Sequence, residues 1–316
     1  MPDKKFDVLV VGELNVDLIL NDMEKFPEVG KEILAKKMLM TLGSSSAIFA
    51  SNLSVLGSRV CFCGCIGKDN FADKILHDLA EKNVDCTYII HSETADTGIT
   101  VALNVQEDRA MVTYPGAMNE LKASDITDDM LSSTSHLHVS SIFLQPALKS
   151  GLLGLFRRAR ALGLTTSLDP QWDPTESWDC NLKELLPFVT VFLPNIEELK
   201  NLSAETSMEK AISSIRQIAH HVVVKNGNSG STHFTQNELS EQLSFLNTAV
   251  VDAIGAGDSF NAGYIHQFIQ GKSPAVCMEF GALCGAINTT ASGGTTAFSN
   301  LDNVRQIALS KFNFKL

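Results

Sequence analysis

The chain has 316 residues, 44% hydrophobic and 19% charged, enough to bury the core of one large α/β domain. That apolar content excludes a disordered chain, and the length excludes a small disulfide-stapled fold. Against 36 Asp and Glu stand 25 Lys and Arg, a formal charge of −11 with no basic run, which argues against a nucleic-acid partner although a local anion pocket of backbone N–H groups needs no net charge.

The first apolar run, residues 6–11, breaks at Gly12-Glu13 and is too short for a secretory leader. No stretch approaches the roughly 20 apolar residues of a membrane span. Seven cysteines without framework spacing fit a reducing compartment, so a cytoplasmic protein with no membrane partner is expected. Residues 8–12 read as a buried strand, 45–56 as a helix and 60–67 as a strand. On that strand Cys61, Cys63 and Cys65 share one face about 6–7 Å apart, awkward for one tetrahedral zinc with bonds of about 2.3 Å; buried thiols are expected. Residues 72–82 read as a helix, 136–139 as a strand, 149–162 as a helix, and 165–168 and 188–193 as strands. A helix over 208–220, a strand over 222–224 and two final helices near 257–270 and 274–290 complete the series. This alternation predicts a mostly parallel central sheet with helices on both faces. Residues 18–41 and 97–114 break the rhythm, and read either as a small antiparallel sheet or as two edge strands of the main one. The reading adopted is one domain over 1–316 with a small β lid formed by about 13–41 and 96–115.

The segment from Asp252 to Gly263, with Gly255-Ala256-Gly257-Asp258 inside it, follows a run at 245–251 that reads as extended and opens a helix. Small residues permit close backbone approach, and the unpaired first-turn N–H groups with the helix dipole suit a phosphate. Asp258 is either a helix cap or a general base beside that phosphate site. No G-x-x-x-x-G-K-[ST] is present, and Gly12-Glu13-Leu14 is not a dinucleotide fingerprint. Without a G-x-S-x-G elbow, His136 and His138 read as strand-end residues rather than members of a triad. Arg157-Arg158-x-Arg160 reads as a solvated helix face.

Asp252 to Gly263 resembles the C-terminal signature of the ribokinase-like (PfkB) carbohydrate kinases, D-x-x-G-A-G-D-x-F-x-x-G. Five further elements resemble that family in order: Val10-Val-Gly12-Glu-Leu-Asn15-Val-Asp17, residues 43–57, Gly64-Cys-Ile-Gly67-Lys-Asp69, Asn195-Ile-Glu-Glu198 and Lys225-Asn-Gly227-Asn-Ser-Gly230. The resemblance covers nearly the whole chain. It implies a ribokinase-like fold and ATP- and Mg²⁺-dependent phosphorylation of a sugar hydroxyl. Asp258 would be the base, and the backbone of Gly255, Ala256, Gly257 and Asp258 the anion hole. Asn15, Asp17, Gly43 and Ser44 would contact the sugar, while Asn195, Glu198, Lys225, Gly227 and Gly230 would serve the nucleotide. Glu198 would hold Mg²⁺ through water, and Asp252 with residues 291–296 falls where some relatives bind a monovalent cation such as K⁺. Read alone, Asn195 and Glu198 are a helix cap and an acidic first turn, 225–230 a strand–turn–strand connection, and Asn15 and Asp17 a polar turn. The lid would exclude water, and its exposed edges or face could pair with a second subunit, leaving a homodimer open.

The chain departs from the family pattern in two places. Where G-G-x-x-x-N is usual, Ser44 replaces the second glycine and Ile48 the asparagine. Where D-x-N-x-R is common, the chain reads Asp169-Pro170-Gln171-Trp172-Asp173. An acid in place of that cation would repel an anionic substrate, so a small neutral sugar of the ribose or fructose type is expected. Trp172 and Trp178 either stack on a sugar face or pack internally. The alternatives are a nucleoside kinase with Phe49, Phe143 and Trp172 flooring the base, or a catalytically silent sugar- or nucleotide-binding regulator.

Overall fold

A computed structural model describes residues 4–105 and 108–316; residues 106 and 107, within the expected small-sheet segment, lie outside the described residues. In chain order the strands are β1 (Phe6–Val11), β2 (Asn15–Asn21), β3 (Lys37–Leu42), β4 (Val60–Cys63), β5 (Cys65–Ile66), β6 (Ile90–His91) and β7 (Gly98–Val105). They continue with β8 (Asp108–Tyr114), β9 (Thr134–Ser140), β10 (Thr165–Asp169), β11 (Val191–Phe192), β12 (His221–Lys225), β13 (Ser231–Phe234) and β14 (Leu239–Gln242). The main sheet has the order β14-β13-β12-β11-β10-β9-β1-β4. Its strands run parallel from β12 to β4, and β13 and β14 are antiparallel additions.

Alternation along the apolar strands divides the core. Leu9, Val11, Leu137, Val139 and Leu168 enter one cluster with Leu155, Leu199 and Ile212 from helices Leu152–Ala161, Ile196–Ser203 and Met208–Ile215. Val8, Val10, Val60 and Phe62 enter the other, with Phe49, Ile75, Tyr264 and Met278 from helices Ser45–Val55, Asn70–Glu81, Ala256–Ile269 and Pro274–Asn288. A sheet buried on both faces accounts for strands that read as continuous apolar runs. Cys61, Cys63 and Cys65 lie together in the first cluster as free thiols, and burial pushes Cys63 up to about 12.

The small sheet has the order β3-β2-β7-β8 and stands apart from the main one. It is not wholly antiparallel, because β2 and β7 run parallel. The chain between them passes through β4 and the Asn70–Glu81 helix, the long crossover that parallel neighbours require.

Several segments differ from expectation. The 60–67 run divides at Gly64, after which β5 leaves to pair with β6. The helix read over 149–162 breaks at Gly151 into Pro146–Ser150 and Leu152–Ala161. Only Val191–Phe192 of 188–193 is strand, because Pro187 sits in a 3₁₀ turn, Leu186–Phe188, just before it. The Met208–Ile215 helix stops well short of residue 220, and 245–251 is not extended strand. A third C-terminal helix, Leu301–Phe312, buries Val304 and Ala308 on a cluster shared with Leu283 and Ile287. Arg158 donates to the carbonyls of Ala123 and Ile126 at 2.9 and 2.7 Å, so the arginine cluster is only partly a solvated face. Among the described residues no helix is long and apolar enough to cross a membrane.

His136 and His138 are not strand-end residues but sit inside β9, fully buried. His136 bonds Thr165 Oγ1 at 2.8 Å and Ser167 Oγ at 2.7 Å, and the His138 ring stacks on Phe49 at 3.7 Å. Burial pushes His136 down to about 3, and burial with the His221 ring beside it pushes His233 down to about 4. A histidine with a depressed folded value contributes stability above its unfolded value of about 6.5, and that stability is lost as pH falls below it. Melting curves taken between about pH 7 and pH 5 should therefore show a shallower fall in Tm for His136→Gln than for the native chain. Equal slopes would show that His136 carries none of this acid sensitivity.

Candidate active site

The C-terminal ends of the parallel strands gather the site, as expected beside the reversal of strand order between β1 and β9. β10 ends in Asp169, fully buried, and β12 ends in Lys225, whose Nζ donates to Asp169 Oδ2 at 2.9 Å. Asn261 Nδ2, from the Ala256–Ile269 helix, donates to the same oxygen. Burial opposes the charge on Lys225, but Asp169 and Glu198 more than offset it and raise its proton affinity.

After β11 the chain turns at Leu193-Pro194 into the Ile196–Ser203 helix, where Asn195 and Glu198 form a capping box. Asn195 N donates to Glu198 Oε2 at 2.9 Å, and Glu198 N to Asn195 Oδ1 at 2.8 Å. The helix-cap reading of this pair is thus correct as structure, and it also fixes a buried carboxylate in the cleft. Burial, with the charge of Asp169, pushes Glu198 up to about 7. The K-x-G-x-x-G segment is indeed a strand–turn–strand, β12 to β13 through a 3₁₀ turn, with Gly230 at φ 98. A Cβ on Gly230 would meet the Gln242 carbonyl oxygen at 2.0 Å.

The Ala256–Ile269 helix starts on Gly255, at φ 74, which makes no side-chain bond to the first-turn amides. A side chain there would be strained by that φ and would bring a Cβ within 2.7 Å of Gly294 Cα. Asp258 lies in the first turn, three residues past the cap, so the simple-cap reading does not describe it. Its buried Oδ1 accepts from Gln171 Nε2 at 2.9 Å. Burial above all, then the charges of Asp169 and Glu13, holds Asp258 well above the usual carboxylate range, against Lys225 and a bond from Ser45.

These groups face a cleft of about 610 Å³. Its lining includes Asn195, Glu198, Lys225, Gly227 and Gly230, together with Asp17, Ser44, Ser45, Ile48 and Thr100 and the turn Gly255, Ala256, Gly257 and Asp258. Asn15 Nδ2 donates to Asp17 Oδ1 at 3.1 Å and Thr100 Oγ1 at 2.8 Å, so the pair shares one side of β2. Gly43 lies against the Asp17 carboxylate. Ser44 keeps the positive φ of a glycine position, 69°, while its Oγ accepts from Ala47 N at 3.0 Å and donates to Glu13 O at 2.5 Å. Two bonds that a glycine could not make offset a conformation that costs of order 1 kcal/mol or more.

Several expected residues stay out of the cleft. Asp173 is buried and turned into its own loop, accepting from Thr175 N, Thr175 Oγ1, Ser177 Oγ and Trp178 N at 2.7–3.0 Å. Burial opposes its charge, but the bonds from Thr175, Trp178 and Ser177 outweigh that and lower its proton affinity. Asp173 does not line the cleft, so the expected repulsion of an anionic substrate by this acid has no support from its position. Trp172 packs edge-on against Trp178, Trp178 against Phe143, and Phe49 against His138. Asp252 accepts from Ile254 N and Gly293 N, each at 3.0 Å, joining the glycine turn to the 291–296 loop.

Four residues that the sequence left without a role belong to this site or its support: Asp169, Gln171, Asn261 and Glu13. Asp169 carried a usable signal, an acid ending a buried parallel strand. Glu13 is buried, accepts from Ser46 N and Ser46 Oγ at 3.3 and 2.5 Å, and sits at the positive end of the Ser45–Val55 helix. Nothing local announces it.

Residues 5–301 match the family described as pfkB family carbohydrate kinase. Over 301 residues the chain is 27% identical to a 2-dehydro-3-deoxygluconokinase of Bacillus subtilis, covering 92% of this chain and 91% of that one. A nucleoside kinase of Methanothermobacter thermautotrophicus is 25% identical over 278 residues, 87% of this chain and 86% of its own. Among solved structures, Arabidopsis thaliana ribokinase complexed with ribose and ATP shares the fold with a TM-score of 0.85 at 23% identity, over 98% of this chain and 99% of that one. With one family matching almost end to end, on a site assembled at the ends of its parallel strands, the chain belongs to the pfkB family of carbohydrate kinases and is a phosphotransferase.

Proposed function

We propose that the protein transfers the γ-phosphoryl group of ATP to a hydroxyl of a small neutral sugar. The observation that carries this reading is Asp258, a buried carboxylate lining the same cleft as Asp17 and Lys225. Asp258 takes the proton of the attacking hydroxyl, and its raised proton affinity makes it a stronger base than an ordinary carboxylate. The backbone N–H groups from Gly255 to Asp258 hold the transferring phosphoryl oxygens, aided by the positive end of their helix. Lys225 and the turn at Gly227 and Gly230 carry the nucleotide phosphates, and Asp17 and Ser44, which line the cleft, orient the sugar with Asn15 and Gly43 against the Asp17 carboxylate. Three buried acids, Asp169, Glu198 and Asp258, share the charge of one lysine, and a divalent cation would favour the ionised forms of Glu198 and Asp258. Glu198 and Asn195 would hold Mg²⁺ through water, and the ion would supply charge neutralisation at the phosphates. Asp252 with the 291–296 loop is the candidate seat for a monovalent cation.

Asp173 lends no support to a neutral substrate. The support comes instead from the cleft lining, where Asp17, Ser44, Ser45 and Thr100 offer a carboxylate and hydroxyls suited to sugar hydroxyls. Phe49, Phe143 and Trp172 do not line the cleft, which weighs against those three as the floor for a nucleoside base. Asp17, Thr100, Ala102 and Met111 of the small sheet line the cleft, consistent with a lid that excludes water. Along β3 and β8, Met38, Met40, Val112 and Tyr114 are exposed, which favours a homodimer through that sheet.

An ADP-release assay over neutral pentoses, hexoses, polyols, nucleosides and sugar acids should give its highest kcat/KM on a neutral sugar. Faster turnover of 2-keto-3-deoxygluconate or fructose 1-phosphate would overturn that class. Asp258→Asn should lose roughly 10²- to 10⁴-fold in kcat while still binding ATP, as seen by thermal shift. A near-normal kcat would remove Asp258 as base. Light scattering should report a dimer for the native chain and a monomer for the Met38→Lys, Val112→Lys double variant; a monomeric native chain would end the dimer proposal.

A further inference from the structure

We propose that Gln171 is a positioning residue for Asp258: its side-chain amide bridges the carboxylates of Asp169 and Asp258 and so ties the base to Lys225. The inference rests on the reading of Asp258 as general base.

Gln171 Nε2 lies 3.0 Å from Asp169 Oδ2 and 2.9 Å from Asp258 Oδ1. A primary amide nitrogen carries two hydrogens and an ionised carboxylate only accepts, so this orientation gives one hydrogen to each acid. Asp169 Oδ2 also receives Lys225 Nζ and Asn261 Nδ2. The result is a continuous chain, Lys225–Asp169–Gln171–Asp258, from the end of β12 to the first turn of the Ala256–Ile269 helix. Gln171 sits at φ 59, a left-handed conformation rarely held by a non-glycine residue unless its surroundings demand it.

The charged groups facing Asp258 are Asp169 from β10, Lys225 from β12 and Glu13 from the β1–β2 connection, with Ser45 adding a hydrogen bond. Take the amide away, and two buried carboxylates confront each other with one fewer donor between them. Like charges in a low dielectric disfavour joint ionisation, so Asp258 would keep its proton to higher pH and lose its fixed orientation. Glutamine is one methylene longer than the asparagine of the family pattern, so the bridge depends on side-chain reach as well as on the amide.

Replacing Gln171 by Leu removes the donor at similar size. The expected result is a kcat lower by roughly 10- to 100-fold, a KM for ATP close to native, and an acidic limb of the kcat/KM profile displaced upward by about one pH unit. Gln171→Asn, which keeps the amide on a shorter stem, should recover part of kcat and part of the displacement. Gln171→Glu, adding a third acid, should displace the limb further. A folded Gln171→Leu enzyme whose acidic limb has not moved overturns the proposal, whether its kcat is native or reduced. Should that variant fail to fold, Gln171→Met, which also lacks the donor and adds no charge, carries the test: a displaced limb supports the bridge and an unmoved one refutes it. Asp258→Asn separates the two readings. If it is inactive while the Gln171 variants leave the limb unmoved, only the positioning role falls; if it remains active, the base assignment falls first.

Discussion

The ion pair between Asp169 and Lys225 is the contact on which the site depends. Asp169 is wholly buried and the Lys225 side chain nearly so, at 2.9 Å. Removing either partner would strand a buried charge, a loss of about 3–5 kcal/mol in comparable cases. The pair sits where β10 and β12 end, on either side of the short β11, so it fixes the mouth of the sheet. Asn261 and Gln171 then attach to the same Asp169 oxygen, drawing in the helix that carries Asp258. A surplus of acid remains, with Glu198 and Asp258 both held above their usual range. A divalent cation would favour their ionised forms, which suits a centre that handles a metal–nucleotide complex.

Small residues do the other half of the work. Gly255 reaches a backbone angle that leaves the helix start without a side-chain cap, and its neighbour Gly294 permits the 291–296 loop to pass close by. Asn52 Nδ2 pins both, donating to Ser259 Oγ at 2.8 Å and Gly294 O at 3.0 Å. Ser44 shows the opposite solution, a side chain tolerated at a positive φ because its hydroxyl closes two bonds. Ile48, standing where the family pattern has asparagine, packs against Gly255 and Gly294 and presents an apolar wall to the cleft.

Much of this was legible in the chain of residues. Buried apolar runs alternating with helical periodicity announced a parallel sheet, and the order of six short motifs announced the family. The spacing of Asn15 and Asp17 put them on one side of a strand, and Asn195 with Glu198 read as a helix cap and an acidic first turn, which the structure closes into a capping box. Local signals read well where they were local. They misled where a proline, a glycine or a distant partner intervened, as at Gly64, Gly151 and Pro187, and where β2 found β7 as a parallel neighbour across a long crossover.

The amino-acid order by itself determined the family, the sheet's class and the turn that starts at Gly255, because each is written in side-chain size and period over a few consecutive residues. Only the tertiary structure decided which polar groups meet. Asp169, Gln171, Lys225 and Asp258 come from four separated segments, and nothing in any one of them records the other three. The same holds for Asp173, whose exchange for arginine looked like a statement about substrate charge. Its carboxylate is consumed by the loop that follows it, since a buried acid binds the nearest N–H and O–H donors before it can act on a ligand.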